Sequence, residues 1–501
     1  MSSAPDQSPG PAGVGTKQYA GFLTVFPSIM LPMFLAVADQ TIVATALPAI
    51  AAATGAVERV SWIVVGYLIA STIAAPIYGR LGDAFGRRNL MFVALAIFIA
   101  ASVACASVST IGLLTLARIL QGLGGGGLMT LSQALIGEAI PPRERARYQG
   151  YLAAVAVSAN TFGPVAGGYL TQQFGWQSIF LVNVPIGLAA VGLTARLPRF
   201  KRSDENRWQA DPLGFVLFTV TVAAILLGLE QAQHMNSETL PLAGGLLAAG
   251  IIALVVLVRQ ENRVPSPLIP LGLLRMPAIW RSDAMAFCHG AALVSLITFL
   301  PVYLEAVRGA SPSETGLLLV PLTIGIGTGS LVTGRLVSRT GLTAVFPSLG
   351  LALVTLNLIA LAVWASSLGT WALAGLLLWN GLFMGTVMGV VQVTVQYASG
   401  PLRLGEAAAS VQFSRSIGAA FGTALVAALL FAVLSLKNPE SARVFTIMIE
   451  RAGESGPALS GAARAAAQAD ITEAFRAAFF LIAGFTAAGF LLAVFHPMRR
   501  I

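Results

Sequence analysis

The chain has 501 residues, of which 56% are hydrophobic and 10% charged, and its mean hydropathy is +0.80. A soluble domain carries about 25% charged residues, so this composition excludes a water-facing surface over most of the chain. The formal charge of +9 lies in short connectors instead of one patch, which speaks against nucleic acid and fits connectors on one side of a bilayer.

Residues 1–18, rich in Ser, Pro and Gly, read as a disordered cytoplasmic tail, and the apolar stretch behind them is too long for a signal peptide. About fourteen apolar runs of membrane-crossing length follow. Six lie near 20–53 (broken by Pro27, Pro32 and Pro48), 59–79, 90–109, 111–139, 148–171 and 177–197. Two more lie near 211–231 and 240–259, and the last six near 278–305, 313–337, 342–364, 369–397, 405–436 and 474–496. Their continuous apolarity, without period-two alternation, specifies helices instead of a barrel.

Charge checks the topology independently. Arg80, Arg87 and Arg88 follow span two, Arg143, Arg145 and Arg147 follow span four, and Arg199, Lys201, Arg202 and Arg207 follow span six. Arg259, Arg263, Arg275 and Arg281 flank the connector after span eight, Arg335 and Arg339 follow span ten, Arg403 follows span twelve, and Arg499 and Arg500 close the chain. Basic even-numbered exits predict that both termini are cytoplasmic. The odd connector at 437–473 mixes both signs, is Ala-rich and reads as an external loop with room for a short helix. Gly79–Gly86 is echoed by Gly334–Gly341. If residues 199–265, with two additional spans, are an insertion, the echo divides the chain into six-helix halves at 19–198 and 266–501. Two related halves are a common transporter plan.

Asp39 stands inside an apolar helix, where a charged carboxyl is costly unless it faces a cavity, meets a cation or takes up a proton. Burial disfavours its charged form and an adjacent arginine favours it, so the two together can make a proton switch; interfacial water at a helix end is the plainer reading. Arg118 stays protonated and suits the fixed cation beside such a carboxyl, unless it snorkels to the outer surface. Gly122–Gly127 formally matches Gly-x-Gly-x-x-Gly, but without a preceding strand it reads as close helix packing and not as a cofactor loop.

Gly163, Pro164, Gly167 and Gly168 predict a bend or pivot in the fifth span. Trp62, Tyr67, Gln121, Gln392 and Gln396 are candidates for a cavity taking an amphiphilic cation, with interface anchoring an equal reading for Trp62. Cys288 and His289 read as packing residues, with His289 a second candidate for proton handling and cavity lining. Glu406 stays open. Cys105 and Cys288 suggest neither a disulfide nor a metal site. Lysine occurs only at 17, 201 and 437, none in P-loop context, so no nucleotide-driven step and no cofactor is expected. No clustered catalytic groups or metal spacing point to an enzyme, and no filter repeats point to a channel.

These features together resemble the major facilitator superfamily, in particular its fourteen-span drug–proton antiporter branch. Gly79, Leu81, Asp83, Gly86, Arg87 and Arg88 are similar to the family's loop motif between spans two and three, which acts as a cytoplasmic gate. Arg118, Gln121, Gly122 and Gly124 resemble the fourth-span proton-coupling motif. Asp39–Val43 with Ala46-Leu47-Pro48 resembles the first-span motif, and Gly163, Pro164, Gly167 and Gly168 the fifth-span motif of exporters. Ala44 and Ala159 depart from residues common in the family, Asn and Gly.

The resemblance implies an all-α major facilitator fold and proton-coupled export of small hydrophobic or cationic drugs by alternating access from a cell (inner) membrane. The alternative is a dedicated exporter of one lipid, antibiotic or metabolite. Expected partners are protons, the small-molecule cargo and lipid; in a two-membrane bacterium they extend to a periplasmic adaptor and an outer-membrane channel.

Overall fold

The computed structural model describes residues 22–55, 59–198, 211–233, 239–264, 267–269, 271–442, 445 and 461–501. The tail expected over 1–18, the connector residues Arg199, Lys201, Arg202 and Arg207, and part of the 437–473 connector lie outside them. The helices are α1 Phe22–Thr54, α2 Trp62–Phe85, α3 Arg87–Ser107, α4 Ile111–Ala139, α5 Pro142–Phe174, α6 Ser178–Leu181, α7 Asn183–Ala195, α8 Pro212–Gln233 and α9 Thr239–Glu261. They continue with α10 Leu271–Leu274, α11 Pro277–Ala306, α12 Pro312–Thr340, α13 Val345–Trp364, α14 Thr370–Met384, α15 Met388–Ser399, α16 Leu404–Lys437 and α17 Gly461–Val494.

Thirteen helical stretches among the described residues are long and apolar enough to cross a membrane, with α6–α7 and α14–α15 each forming one. The other expected span is α5, which has 33 residues and is about 50 Å long. Its apolarity is diluted by Arg143, Glu144, Arg145 and Arg147 at one end and by Ser158, Asn160 and Thr161 further along. The chain is an all-helical, multi-pass membrane protein.

The structure corrects several span boundaries. α1 runs unbroken through Pro27, Pro32 and Pro48, because each proline removes one N–H bond and neighbouring groups in a bundle can satisfy what is freed. α2 continues through Gly79–Phe85, so most of the expected loop motif is helix. It stops at Gly86, whose φ of 93° is open to glycine at no steric cost. Spans six and twelve are instead interrupted, at Val182 and at Gly385–Val387. The last helix begins at Gly461, inside the expected external loop.

Helices α1–α7 pack on one another, as do α11–α17, and two seams join the groups. In one, α2 and α4 meet α16; in the other, α5 meets α12 and α15. The pair α8–α9 lies outside both groups, with α8 across α2 and α16; Phe218 of α8 stacks at 5.5 Å on Phe413 of α16. Lipid supplies no hydrophobic drive for helix association, so close approach through small residues matters. At the first seam a Cβ on Gly79 would lie 2.6 Å from the Gly405 carbonyl oxygen and 2.7 Å from the Ala409 Cβ. We therefore expect Gly79→Val to force the seam apart, lowering the thermal midpoint of the purified protein by an amount equivalent to about 1–3 kcal/mol. An unchanged midpoint would show that α2 and α16 can separate there without penalty.

Candidate functional site

Asp39 of α1 and Arg118 of α4 are both 1% exposed. Arg118 Nη1 donates to Asp39 Oδ2 at 2.5 Å and to Gln121 Oε1 at 2.6 Å. The other carboxylate oxygen, Oδ1, accepts from Gln121 Nε2 at 2.9 Å and from Asn183 Nδ2 at 2.7 Å. Ser102 Oγ of α3 accepts from Gln121 Nε2 at 2.8 Å. The Arg118 guanidinium carbon stands 4.2 Å above the centre of the Tyr67 ring, and Nε donates to the Ile63 carbonyl at 3.4 Å. Taking two charges out of water costs several kcal/mol per ion unless the remaining donors and acceptors are satisfied. Five polar groups from α1, α3, α4 and α7, with an aromatic face from α2, meet that requirement.

The sequence supplies these partners locally. Arg118 and Gln121 are three residues apart and share a helix face. The glycine run beyond them makes room: a Cβ on Gly122 would lie 2.5 Å from the Tyr67 carbonyl oxygen, and one on Gly125 would collide with the Tyr67 hydroxyl. The run lies wholly inside α4 and packs helices. Asn183 follows the interruption at Val182, as the first residue of α7. Asn183 and Ser102 escaped the sequence reading. The available signal was Pro185, which lacks the N–H that would bond Leu181 in a continuous helix and so marks the break beside Asn183.

α5 lies against the same stretch of α1. A Cβ on Gly163 would collide with Thr41 Oγ1, and one on Gly167 with Thr45 Oγ1; Thr41 Oγ1 donates to the Ala159 carbonyl at 3.3 Å. α5 continues helically through Pro164, and a Cβ on Gly168 would meet open space.

A second charged cluster joins the two helix groups at the basic end. Asp83 accepts from Arg87 Nη2 at 2.5 Å, from the Gly405 backbone N–H at 2.9 Å and from that of Glu406 at 3.0 Å. It thereby caps the start of α16, where unpaired N–H groups favour an anion. Arg87 also pairs with Glu138 at 3.0 Å, and Arg80 pairs with Glu406 across the seam. Arg88 turns elsewhere, donating to the carbonyls of Thr194 and Ala195 at 3.2 and 2.8 Å and closing the end of α7.

The cavity candidates separate. Tyr67 and Gln121 belong to the Asp39 centre, whereas Trp62 is 39% exposed in the first turn of α2. Gln396 Nε2 donates to the Gln133 carbonyl at 2.9 Å, a bond between α15 and α4. Gln392 is buried on α15, and His289 of α11 bonds through Nε2 to the Met384 carbonyl at 3.2 Å.

Residues 29–423 match the family model described as Major Facilitator Superfamily. The chain belongs to that superfamily. An uncharacterized MFS-type transporter of Mycobacterium tuberculosis (strain ATCC 25618 / H37Rv) is 33% identical over 410 residues; the match covers 81% of this chain, which spans 59% of that relative's length. The Acurin A biosynthesis cluster MFS-type transporter of Aspergillus aculeatus is 32% identical over 85% of this chain and 77% of its own. The multidrug transporter protein MdtP of Bacillus subtilis (strain 168) is 30% identical over 80% of this chain and 74% of its own. Among solved structures, the human organic anion transporter MFSD10 superposes with a TM-score of 0.67 at 14% identity, covering 95% of this chain and 100% of its own. The proton:xylose symporter XylE superposes with a TM-score of 0.63, also at 14% identity, over 95% and 96%. At that identity the two structures share the fold.

Breaking a buried pair costs about 3–5 kcal/mol because the remaining charge is stranded. Arg118→Gln should accordingly lower thermal stability sharply, and Asp39→Asn added to it should recover part of the loss. Strict additivity of the two substitutions would show that the side chains are not energetically coupled.

Proposed function

We propose that this transporter exports small hydrophobic or cationic molecules in exchange for protons, through alternating access. The observation that carries the reading is the Asp39 carboxylate, enclosed in the bundle with both oxygens held by Arg118, Gln121 and Asn183. A proton on Asp39 removes the negative charge that balances Arg118. Arg118 keeps Gln121 Oε1, the Ile63 carbonyl and the faces of Tyr67 and Phe180, while its bond to the neutral carboxyl loses the charge assistance, which weakens the join of α4 to α1. A proton is thus converted into a change in helix packing within one half. By the positive-inside rule the basic end is cytoplasmic, both termini lie there, and Asp83 with Arg80, Arg87 and Glu406 holds that end shut. Cargo would leave from the opposite face and return requires the latch to open. The driving force is the proton gradient, with no cofactor and no chemical conversion of the cargo. In a cell with two membranes, an envelope-spanning adaptor and channel would be the further partners.

Multidrug export is the first reading, supported by the relationship to MdtP. The relationship to a transporter from a biosynthesis cluster favours a second, dedicated export of one metabolite, lipid or antibiotic.

Energised inside-out vesicles exposed to a panel of lipophilic cations and neutral drugs test both. Substrate-dependent collapse of the pH gradient is expected in wild type and is expected to vanish in Asp39→Asn. Equal collapse in both proteins would place the proton elsewhere, and silence across the whole panel would favour the dedicated exporter. Asp83→Asn should shift spin-label distances across the α2–α16 seam toward the separated form; an unaltered distribution would remove Asp83 from the latch.

A further inference from the structure

Outside the Asp39 centre, a cavity of 390 Å³ opens at the basic end between α9, α10, α11 and α16. Its volume falls in the range of roughly 300–1,000 Å³ typical of small-molecule sites. The walls are almost wholly apolar, including Leu257 and Phe413, and Leu254, Val258 and Trp280, each about two-fifths exposed, stand at its rim. Three carboxylates interrupt this lining: Glu261, Asp283 and Glu406, which are 4%, 5% and 4% exposed. No lysine or arginine lines the cavity among the described residues.

Each acid is held by one oxygen and leaves the other free. Glu261 Oε2 accepts from the Ile269 backbone N–H at 3.1 Å, Asp283 Oδ1 accepts from Ser410 Oγ at 3.3 Å, and Glu406 Oε1 takes Arg80. Glu261 Oε1, Asp283 Oδ2 and Glu406 Oε2 are buried without a partner among the described residues. A buried acceptor left unpaired costs about 1–3 kcal/mol, more when charged, so three around one apolar space mark a site shaped for a donor. The three do not form a group able to hold a single metal ion, and the apolar walls offer a divalent cation nothing in place of its water. An ammonium on an apolar body satisfies both features: its N–H groups meet the free oxygens and its hydrocarbon covers the walls.

We infer that the cavity bounded by Glu261, Asp283 and Glu406 is a second cation site, which takes lipophilic organic ammonium ions from the outer face of the bundle. Glu406 belongs to this site through one oxygen and to the seam with Arg80 through the other, so an occupant is in contact with the latch. Occupancy depends on the chemistry of the cavity and not on a proton gradient, which separates its failure from failure of the antiport reading.

The test is fluorescence titration of dansylcadaverine, a pentylammonium carrying an apolar dansyl ring, against the full chain in phosphatidylcholine nanodiscs. Saturable binding is expected in wild type. Asp283→Asn and, independently, Val258→Trp, which fills the rim without touching an acid, should each weaken it at least about tenfold. The uncharged N-acetyl derivative should bind wild type about tenfold more weakly. Equal binding of the acetylated probe would reduce the cavity to an apolar crevice and overturn the inference. Binding lost in Asp39→Asn but kept in both cavity variants would place the cation at the Asp39 centre and overturn it equally. If exchanging part of the phosphatidylcholine for phosphatidylethanolamine abolishes the Asp283-dependent signal, the ammonium belongs to lipid and the free cation is displaced as occupant.

Discussion

The N-terminal group of helices is organised around two opposite charges buried against each other. In a bilayer there is little hydrophobic drive to bring one helix to another, so directional bonds decide which faces meet. Asp39 and Arg118 cannot be left singly in that interior, and their joint solvation uses Ser102, Gln121 and Asn183 as well. Together these side chains fix α1, α3, α4 and α7 in register. The glycines of α4 serve the same end by a different route, since they let Tyr67 reach the face of the guanidinium. α5 is then held on α1 through glycines that face Thr41 and Thr45, next to the charged pair.

The second acidic cluster does different work with the same chemistry. Asp39 binds partners within one group of helices, whereas Asp83 reaches across to the first backbone N–H groups of α16. A contact to a helix end consists of a few bonds across the seam, so separation of the two helix groups breaks it directly. α2 belongs to both arrangements. It carries Ile63 and Tyr67 beside Arg118, and Gly79 and Asp83 at the seam. Tyr67 and Asp83 lie about 24 Å apart along the helix, from its rise per residue. Displacement of one helix therefore touches the charged centre and the seam at once.

The additional pair α8–α9 lies beside that seam. Ile73 of α2 and Phe218, Val222 and Leu226 of α8 form one apolar cluster with Leu257 of α9, against which Phe413 and Ile417 of α16 pack. α9 also supplies Glu261, Leu254 and Val258 to the acidic cavity. These two helices thus extend the seam outward and create a wall that neither six-helix group provides alone.

Sequence alone determined that the chain crosses a membrane many times as helices, because backbone polar groups in lipid leave few alternatives and long apolar runs are unmistakable. It also singled out Asp39, Arg118, Asp83 and Arg87, since an ionisable residue beside or within an apolar run is conspicuous. Helix ends were less legible. The prolines of α1 read as breaks although the helix runs through them, whereas Pro185, beside the real interruption before Asn183, did not stand out from them. Only the tertiary structure decided that Asn183 and Ser102 complete the Asp39 centre, that Arg88 closes α7 while Arg80 crosses to Glu406, and that Glu261 and Asp283 face one cavity. These partners lie far apart along the chain, and neutral polar residues in a helix acquire a role only when another helix brings a charge within hydrogen-bond distance.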